Sequence, residues 1–297
     1  MTRRVVVTGM GLVSCLGHQL DEVSNALFQG SSGISFIPDY AERGLRSQVA
    51  GLPVTHGMAP VERRYRRFMG AAALHAYMAT RAAIEDARLT EMIIKHPRTG
   101  VVAGSGVGSP FQHHLAMQTA LTAGPHKVSP YTVPQVMGST VSASLATALG
   151  ITGVSYSISS ACATSAHCIG NALQLIQSGV QDVVLAGGAE ELEWTIALPF
   201  DAMGALSTSF NATPATASRP YDRSRDGFVI AGGAGMLILE ELDHARSRGA
   251  PIYAELAGYG ATSDGYDMLT PTADGAVRAM RQALVSAKTP PDYVNTH

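Results

Sequence analysis

An α/β fold with a largely parallel central sheet is what this sequence predicts. Short, β-branched apolar runs alternate along the chain with longer stretches at helical spacing, the pattern of strand–helix–strand units. Glycines close several of these runs. The 297 residues are 46% hydrophobic and only 15% charged, which supplies a large core or a surface hidden against another subunit.

The elements follow in order. Arg4–Thr8 reads as a buried strand, with Gly9 and Gly11 turning the chain after it. Leu20–Phe28 has helical spacing and stops at Gly30. A long helical pattern runs from Pro60 to Leu89. Thr99–Ala103 is a second buried strand, leading into GSGVGSP. Val136–Leu149 is rich in small residues and helix-like, and Tyr156–Ser159 is strand-like. Cys162–Ser178 is a helix and Asp182–Ala186 the next strand. A further strand lies within Phe228–Glu240.

Composition excludes several classes of function. A formal net charge of −2 provides no basic field for nucleic acid. Three cysteines form no disulfide framework and suit a reducing compartment. The apolar run in MTRRVVVTGMGLVS is too short and too glycine-broken for a signal peptide. No stretch offers the ~18 uninterrupted apolar residues of a membrane span. The expectation is a cytoplasmic protein without membrane or nucleic-acid partners.

VTGMGLVS (7–14) and LAGYGATS (256–263) share a strand-like start, Gly-x-Gly and a final serine. Either this is coincidence or the fold is built from two similar halves. In the second case a first half with insertions spans 1–250, and 251–297 begins the other. The chain ends at His297, directly after a strand-like DYVN, which predicts a fragment of a longer chain.

The stretch SSACATSAHCIG (159–170) places Cys162, His167 and Cys168 within seven positions. A zinc site needs converging ligands. On a helix, His167 and Cys168 are turned about 140° and 240° from Cys162, so the three splay apart. No second cysteine–histidine cluster and no Cys-x-x-Cys accompany them. Neither metal nor cofactor is expected. SYSIS reads as a strand and CATSAHCIGNALQLIQSG as a helix, which puts Ala161–Cys162 at the turn between them. A thiol there faces unsatisfied N–H groups and the positive end of the helix dipole, which stabilise a thiolate. The small neighbours Ser160, Ala161, Ala163 and Thr164 let a substrate approach. The arrangement resembles a nucleophile elbow with cysteine in the serine's place, one reading of this thiol beside that of an unreactive one. Cys168 is expected to be a small buried residue, and His167 structural.

SISSACATSAHCIG resembles the active-site segment of the β-ketoacyl-acyl carrier protein synthases, the condensing enzymes of fatty acid synthesis. The likeness extends through VVTGMGLVSCLG (6–17), VAGSGVGSP (102–110), AGGAEEL (186–192), FDAMGALST (200–208), SRPYDRSRDGFVIAGGAGMLILEELDHARSRGAPIYAE (218–255) and VNTH (294–297), and is nearest the type I branch. The resemblance implies a thiolase-like fold of five alternating layers, αβαβα, of which this chain holds the N-terminal half and the start of the C-terminal half. It implies a homodimer and acyl carrier protein as partner. The chemistry implied is acyl transfer to Cys162, followed by decarboxylative condensation with malonyl-carrier protein.

Further roles follow from the resemblance alone. His297 matches the first histidine of an Asn-x-His-Gly-Thr motif and would hydrogen-bond the malonyl thioester carbonyl. Arg63, Arg64 and Arg67 share a helix face where an acidic carrier protein would dock, with Lys127 beside them. Val107 would limit the acyl pocket, and Phe200 would line it as a gate. The family carries a second histidine, a lysine and a glycine-rich loop beyond the position of His297, so residues 1–297 alone are expected not to condense. The rival readings are a polyketide-type condensing enzyme and a non-catalytic subunit that shapes a partner's pocket.

Overall fold

A computed structural model describes residues 3–297. The elements run β1 (Val5–Val13), α1 (Leu20–Phe28), β2 (Ile34–Phe36), α2 (Pro38–Glu42), β3 (Val49–Gly51), α3 (Arg63–Arg66), α4 (Ala71–Asp86), α5 (Glu91–Ile94), β4 (Thr99–Gly104) and α6 (Pro110–Ala123). They continue with α7 (Thr132–Val136), α8 (Thr140–Leu149), β5 (Ser155–Tyr156), α9 (Thr164–Gln177), β6 (Val183–Glu190), α10 (Trp194–Met203), β7 (Gly233–Glu241), α11 (Leu242–Ser247), β8 (Ala254–Glu255) and α12 (Ala273–Ala287).

Side-chain alternation in the central strands decides the layering. Val101, Ala103, Val183, Leu185, Met236 and Ile238 point to one face, into a core with Ala76, Ala79 and Ala83 of α4 and Val141 and Leu145 of α8. Val102, Val184, Ala186 and Leu239 point to the other, against Cys168, Ala172, Leu173 and Ile176 of α9. Leu256 and Tyr259 join that second cluster, so extended chain after β8 packs against α9.

The main sheet has the order β5-β4-β6-β7-β1-β8. Only β4 pairs in parallel, with β5 and with β6. The β6–β7, β7–β1 and β1–β8 pairings are antiparallel. The sheet is therefore mixed rather than largely parallel. Neighbour direction is set by which strands meet, and hydrophobic pattern carries no information on it.

The glycines after Thr8 do not turn the chain. β1 continues through Gly9 and Gly11 to Val13, with an irregularity in register between Val7 and Gly9. A Cβ on Gly9 would stand 2.4 Å from the Ala83 carbonyl oxygen, and one on Gly11 2.0 Å from that of Ala79. The bare backbone lets α4 lie directly on the strand. Gly258 and Gly260 meet α12 in the same way, at 2.2 Å from the Ala283 oxygen and 2.0 Å from the Ala279 oxygen. The two Gly-x-Gly segments of the sequence thus make one and the same contact with an Ala-x-x-x-Ala helix.

Other boundaries also move. The pattern from Pro60 to Leu89 is two helices, α3 and α4, interrupted at Arg67–Gly70. Helix α9 begins at Thr164 after a single 3-10 turn, Ala161–Ala163, rather than at Cys162. DYVN (292–295) is irregular, not a strand.

Candidate active site

The chain enters the Cys162 turn along a tightly guided path. Ser157 Oγ donates to the Ala103 carbonyl at 2.6 Å. Gly104 has no side chain where the Ile158 carbonyl passes over the end of β4; a Cβ there would lie 1.9 Å from that oxygen. The Ser160 N–H donates to Thr164 Oγ1 at 2.8 Å, and Ser160 Oγ pairs with His167 Nδ1 at 2.6 Å. His167 therefore has the structural role its sequence position predicts. Ala161 then adopts φ 51°, left-handed for a residue with a Cβ.

Cys162 follows, exposed, at the N-terminal end of α9, while Cys168 is wholly buried and its thiol is pushed up by burial. Cys15 is half-buried, with its thiol likewise raised. All three cysteines are unpaired. Among the described residues no group of three or more histidines, cysteines or carboxylates is placed to hold a metal ion. The Cys162 N–H enters none of the backbone hydrogen bonds of the turn, where Ala163 N–H donates to Ser160 at 3.1 Å. It is thus available to a ligand oxygen.

The thiol opens on a cleft of about 340 Å³. Its walls come from the strand ends: Gly104 of β4, Gly188 and Glu190 of β6, Gly232 just before β7, and Gly233 and Gly235 within it. The run of glycines leaves room for a chain to reach the sulfur. Burial pushes the Glu190 carboxyl above its ordinary value, against the opposing hydrogen bond from the Gly106 N–H. Glu191 beside it is almost fully buried and accepts the Phe111 N–H at 3.0 Å; burial pushes it up to about 7. Sequence reasoning missed both carboxylates and the left-handed Ala161. The signal for the pair was GGAEE at the end of an apolar strand.

The remaining expected site residues lie apart from one another, Phe200 half-buried and the others exposed. Val107 stands exposed in the loop before α6. Phe200 on α10 packs edge-on against Phe228, with ring centroids 5.4 Å apart. His297 is exposed, and its N–H donates to Asn295 Oδ1 at 3.1 Å. None of these three lines the Cys162 cleft. The Asp222–Gly227 run is a hydrogen-bonded turn: Asp222 accepts from Ser224 N–H at 2.7 Å, and Asp226 from Thr208 and Ser209 N–H at 2.9 and 2.8 Å.

Arg63, Arg64, Arg67 and Lys127 are all exposed. Arg64 is partly engaged, paired to Glu62 at 2.9 Å and lying over the Tyr65 ring. Arg67 lies over Phe68 and Tyr131, 4.8 and 5.3 Å from the ring centroids. Tyr131 follows the turn that carries Lys127, which links the two basic segments. Among the described residues no helix is long and apolar enough to cross a membrane.

The family model "Beta-ketoacyl synthase, N-terminal domain" matches residues 2–245. The chain is 53% identical over 298 aligned residues to 3-oxoacyl-acyl-carrier-protein synthase 1 of Haemophilus influenzae, covering 99% of this chain and 73% of that protein. A beta-ketoacyl synthase from Burkholderia phymatum superposes with a TM-score of 0.90 at 37% identity, covering 96% of this chain and 71% of that one. A type II polyketide synthase ketosynthase, solved with its acyl-carrier protein and bound to the hexaketide, superposes with a TM-score of 0.85 at 33% identity. That match covers 98% of this chain and 71% of the other.

Proposed function

We propose, for a chain that belongs to the beta-ketoacyl synthase family, that Cys162 is the acyl-accepting nucleophile of a 3-oxoacyl-acyl carrier protein synthase acting in fatty acid elongation. The observation that carries this is the exposed thiol behind a left-handed Ala161, at the head of α9 and in a glycine-walled cleft. The thiolate attacks the acyl thioester of the carrier, a carbon–sulfur bond to Cys162 forms, and the carrier's thiol leaves. The Cys162 N–H stabilises the tetrahedral oxyanion. Malonyl-carrier protein then loses carbon dioxide. Its enolate carbon attacks the acyl group, the new carbon–carbon bond forms, and Cys162 departs as thiolate.

His297 is the proposed donor to the malonyl thioester carbonyl. Arg63, Arg64, Arg67 and Lys127 are the proposed docking points for the carrier's acidic surface, and Val107 and Phe200 the proposed limits of the acyl pocket. The working form is proposed to be a cytoplasmic homodimer, which the three unpaired thiols and the low charge content support. The boundary between the two halves is placed at 250, which the repeated Gly-x-Gly contact and the end of the family match at 245 support.

The Haemophilus relative has about a quarter of its length without a counterpart in these 297 residues, since 73% of it is covered. Residues 1–297 alone are therefore proposed to take up an acyl group without completing the condensation. Incubation with a small acyl thioester, read by intact mass, tests this. The expected result is one acyl adduct on Cys162 and none in Cys162→Ser. A wild-type chain that gains no adduct overturns the reading. A polyketide-type condensing enzyme remains the second reading, favoured by the superposition on the hexaketide-bound ketosynthase. Competition between short saturated and polyketide-like thioesters separates the two.

A further inference from the structure

Ala161 is held in a left-handed conformation that is unfavourable for an L-residue, and such residues persist only where their surroundings over-determine them. Two sets of contacts surround this one. On the side of α9, Thr164 and His167 hold Ser160 through its N–H and its hydroxyl, at 2.8 and 2.6 Å. On the other side sits the loop that follows β4. Ser159 Oγ donates to the Gly106 carbonyl at 3.3 Å. A Cβ on Gly106 would lie 3.2 Å from the Ala161 carbonyl oxygen and 3.3 Å from its Cα, so the loop rests on the turn itself.

Glu190 holds that loop in place. Its Oε1 accepts the Gly106 N–H and, at 3.0 Å, the Ser105 hydroxyl. Ser105 Oγ in turn accepts the Gly108 N–H at 2.8 Å. Glu190 is the last residue of β6 and lines the cleft onto which Cys162 opens. Its second oxygen, Oε2, is buried without a hydrogen-bond partner among the described residues.

We propose that Glu190 is a positioning residue for the acylation of Cys162: its carboxyl seats the Ser105–Gly108 loop on the Ala161 turn and thereby aims the Cys162 thiol and amide into the cleft. This rests on the reading of Cys162 as the acyl acceptor. The hydrogen bonds of Glu190 run to Ser105 and Gly106, and it acts on the turn through Gly106 and Ser159. An amide oxygen accepts the same two hydrogen bonds, so glutamine preserves the latch and alanine removes it.

Three measurements on the full chain decide it: acylation of Cys162 by a small acyl thioester, alkylation of Cys162 by iodoacetamide, and amide hydrogen exchange. Alkylation needs only an accessible thiol, whereas acylation also needs the amide aimed at the oxyanion. In Glu190→Ala, acylation falls by about tenfold or more while alkylation stays within about threefold, a separation a merely unfolded variant does not give. Exchange quickens in 105–108 and 159–162 together and nowhere else. Glu190→Gln matches wild type in all three. Wild-type acylation by Glu190→Ala overturns the proposal, as does equal loss in Glu190→Gln or faster exchange across the whole sheet. If the wild-type chain takes up no acyl group, the function reading falls, and exchange alone decides the latch. Quickening confined to the two segments in alanine and absent in glutamine sustains it; unchanged exchange in alanine overturns it.

Discussion

Replacing Arg248 by alanine leaves a fully buried carboxylate of the main sheet without its guanidinium partner. The Glu240 side chain on β7 is fully inaccessible and accepts two bonds from Arg248, from Nε and Nη2, both at 2.7 Å. His244 Nδ1 supplies a third contact at 2.5 Å. Arg248 also donates to the Ala87 carbonyl at 2.8 Å, which ties the end of α4 to the same knot. Burial pushes the Glu240 carboxyl up, but the bonds from Arg248 and His244 outweigh it and hold the group below its ordinary value. Without Arg248 burial prevails and the carboxyl moves above that value. The expected loss at pH 7 is about 3–5 kcal/mol, the cost of leaving one partner of a buried pair alone. A carboxyl raised in the folded state favours unfolding as pH rises above its unfolded value, because the unfolded chain then ionises first. The deficit of the variant is therefore largest at pH 7 and shrinks towards pH 5. Urea unfolding of both proteins at the two pH values measures it. A deficit under about 1 kcal/mol at pH 7, or one equal at both pH values, would refute the reasoning. The double variant Glu240→Leu with Arg248→Met is expected to recover much of the loss, since no unpaired charge is left.

Asp182 joins Arg3 and Arg98, and the hydrogen bond from Arg98, with help from Arg3, lowers its carboxyl to about 2. That contribution is present above the unfolded value near 3.8 and is lost as pH falls through about 2. Partial solvent screening limits it to about 1–2 kcal/mol, so Asp182→Asn should flatten the acid limb of an unfolding curve by that amount. Gly11→Ala and Gly260→Ala each drive a methyl into helix backbone, and each should cost about 1–3 kcal/mol or more in chemical denaturation, against near zero for Gly138→Ala, whose methyl meets open space without a positive φ. Charge reversal at Arg63 and Arg67 should raise the apparent KM for carrier-bound acyl groups while sparing small thioesters; an equal loss for both would count against docking.

What the residues revealed on their own divides along a physical line. Local spacing was enough for α1, whose bounds Leu20–Phe28 the structure reproduces, because an apolar stripe and a terminal Gly30 are both local signals. Cys162 was also separable from His167 and Cys168, although for a different reason than offsets along one helix: it lies in the 3-10 turn ahead of α9, which carries the other two. Strand direction was not local. β1 and β7 pair antiparallel across 236 positions at Val5 and Glu241 and 221 at Val13 and Ala234, and nothing near either strand encodes that meeting. Gly9 and Gly11 were misread for a related reason. A glycine breaks a strand by propensity, but here the absent Cβ is what α4 requires, and α4 begins some sixty residues later.

The candidate site shows the same division at finer scale. The thiol was legible because the helix that follows its turn explains it. Glu190 was not, because its two partners, Ser105 and Gly106, lie 85 and 84 positions earlier on another strand end. Nothing local in GGAEE says which way its two adjacent carboxylates turn. The fold turns both inward: Glu190 towards the loop at Gly106, and Glu191 towards the first turn of α6 at Phe111. Neighbouring strand residues face opposite sides, so one pair of glutamates secures both ends of the same loop. That loop carries Val107, the expected limit of the acyl pocket, and rests on Ala161, the strained residue before Cys162. Any change that loosens it should therefore alter chain-length preference and acylation rate together. A Glu190→Ala chain that slows on every acyl thioester by the same factor would mean that Val107 takes no part in measuring the chain.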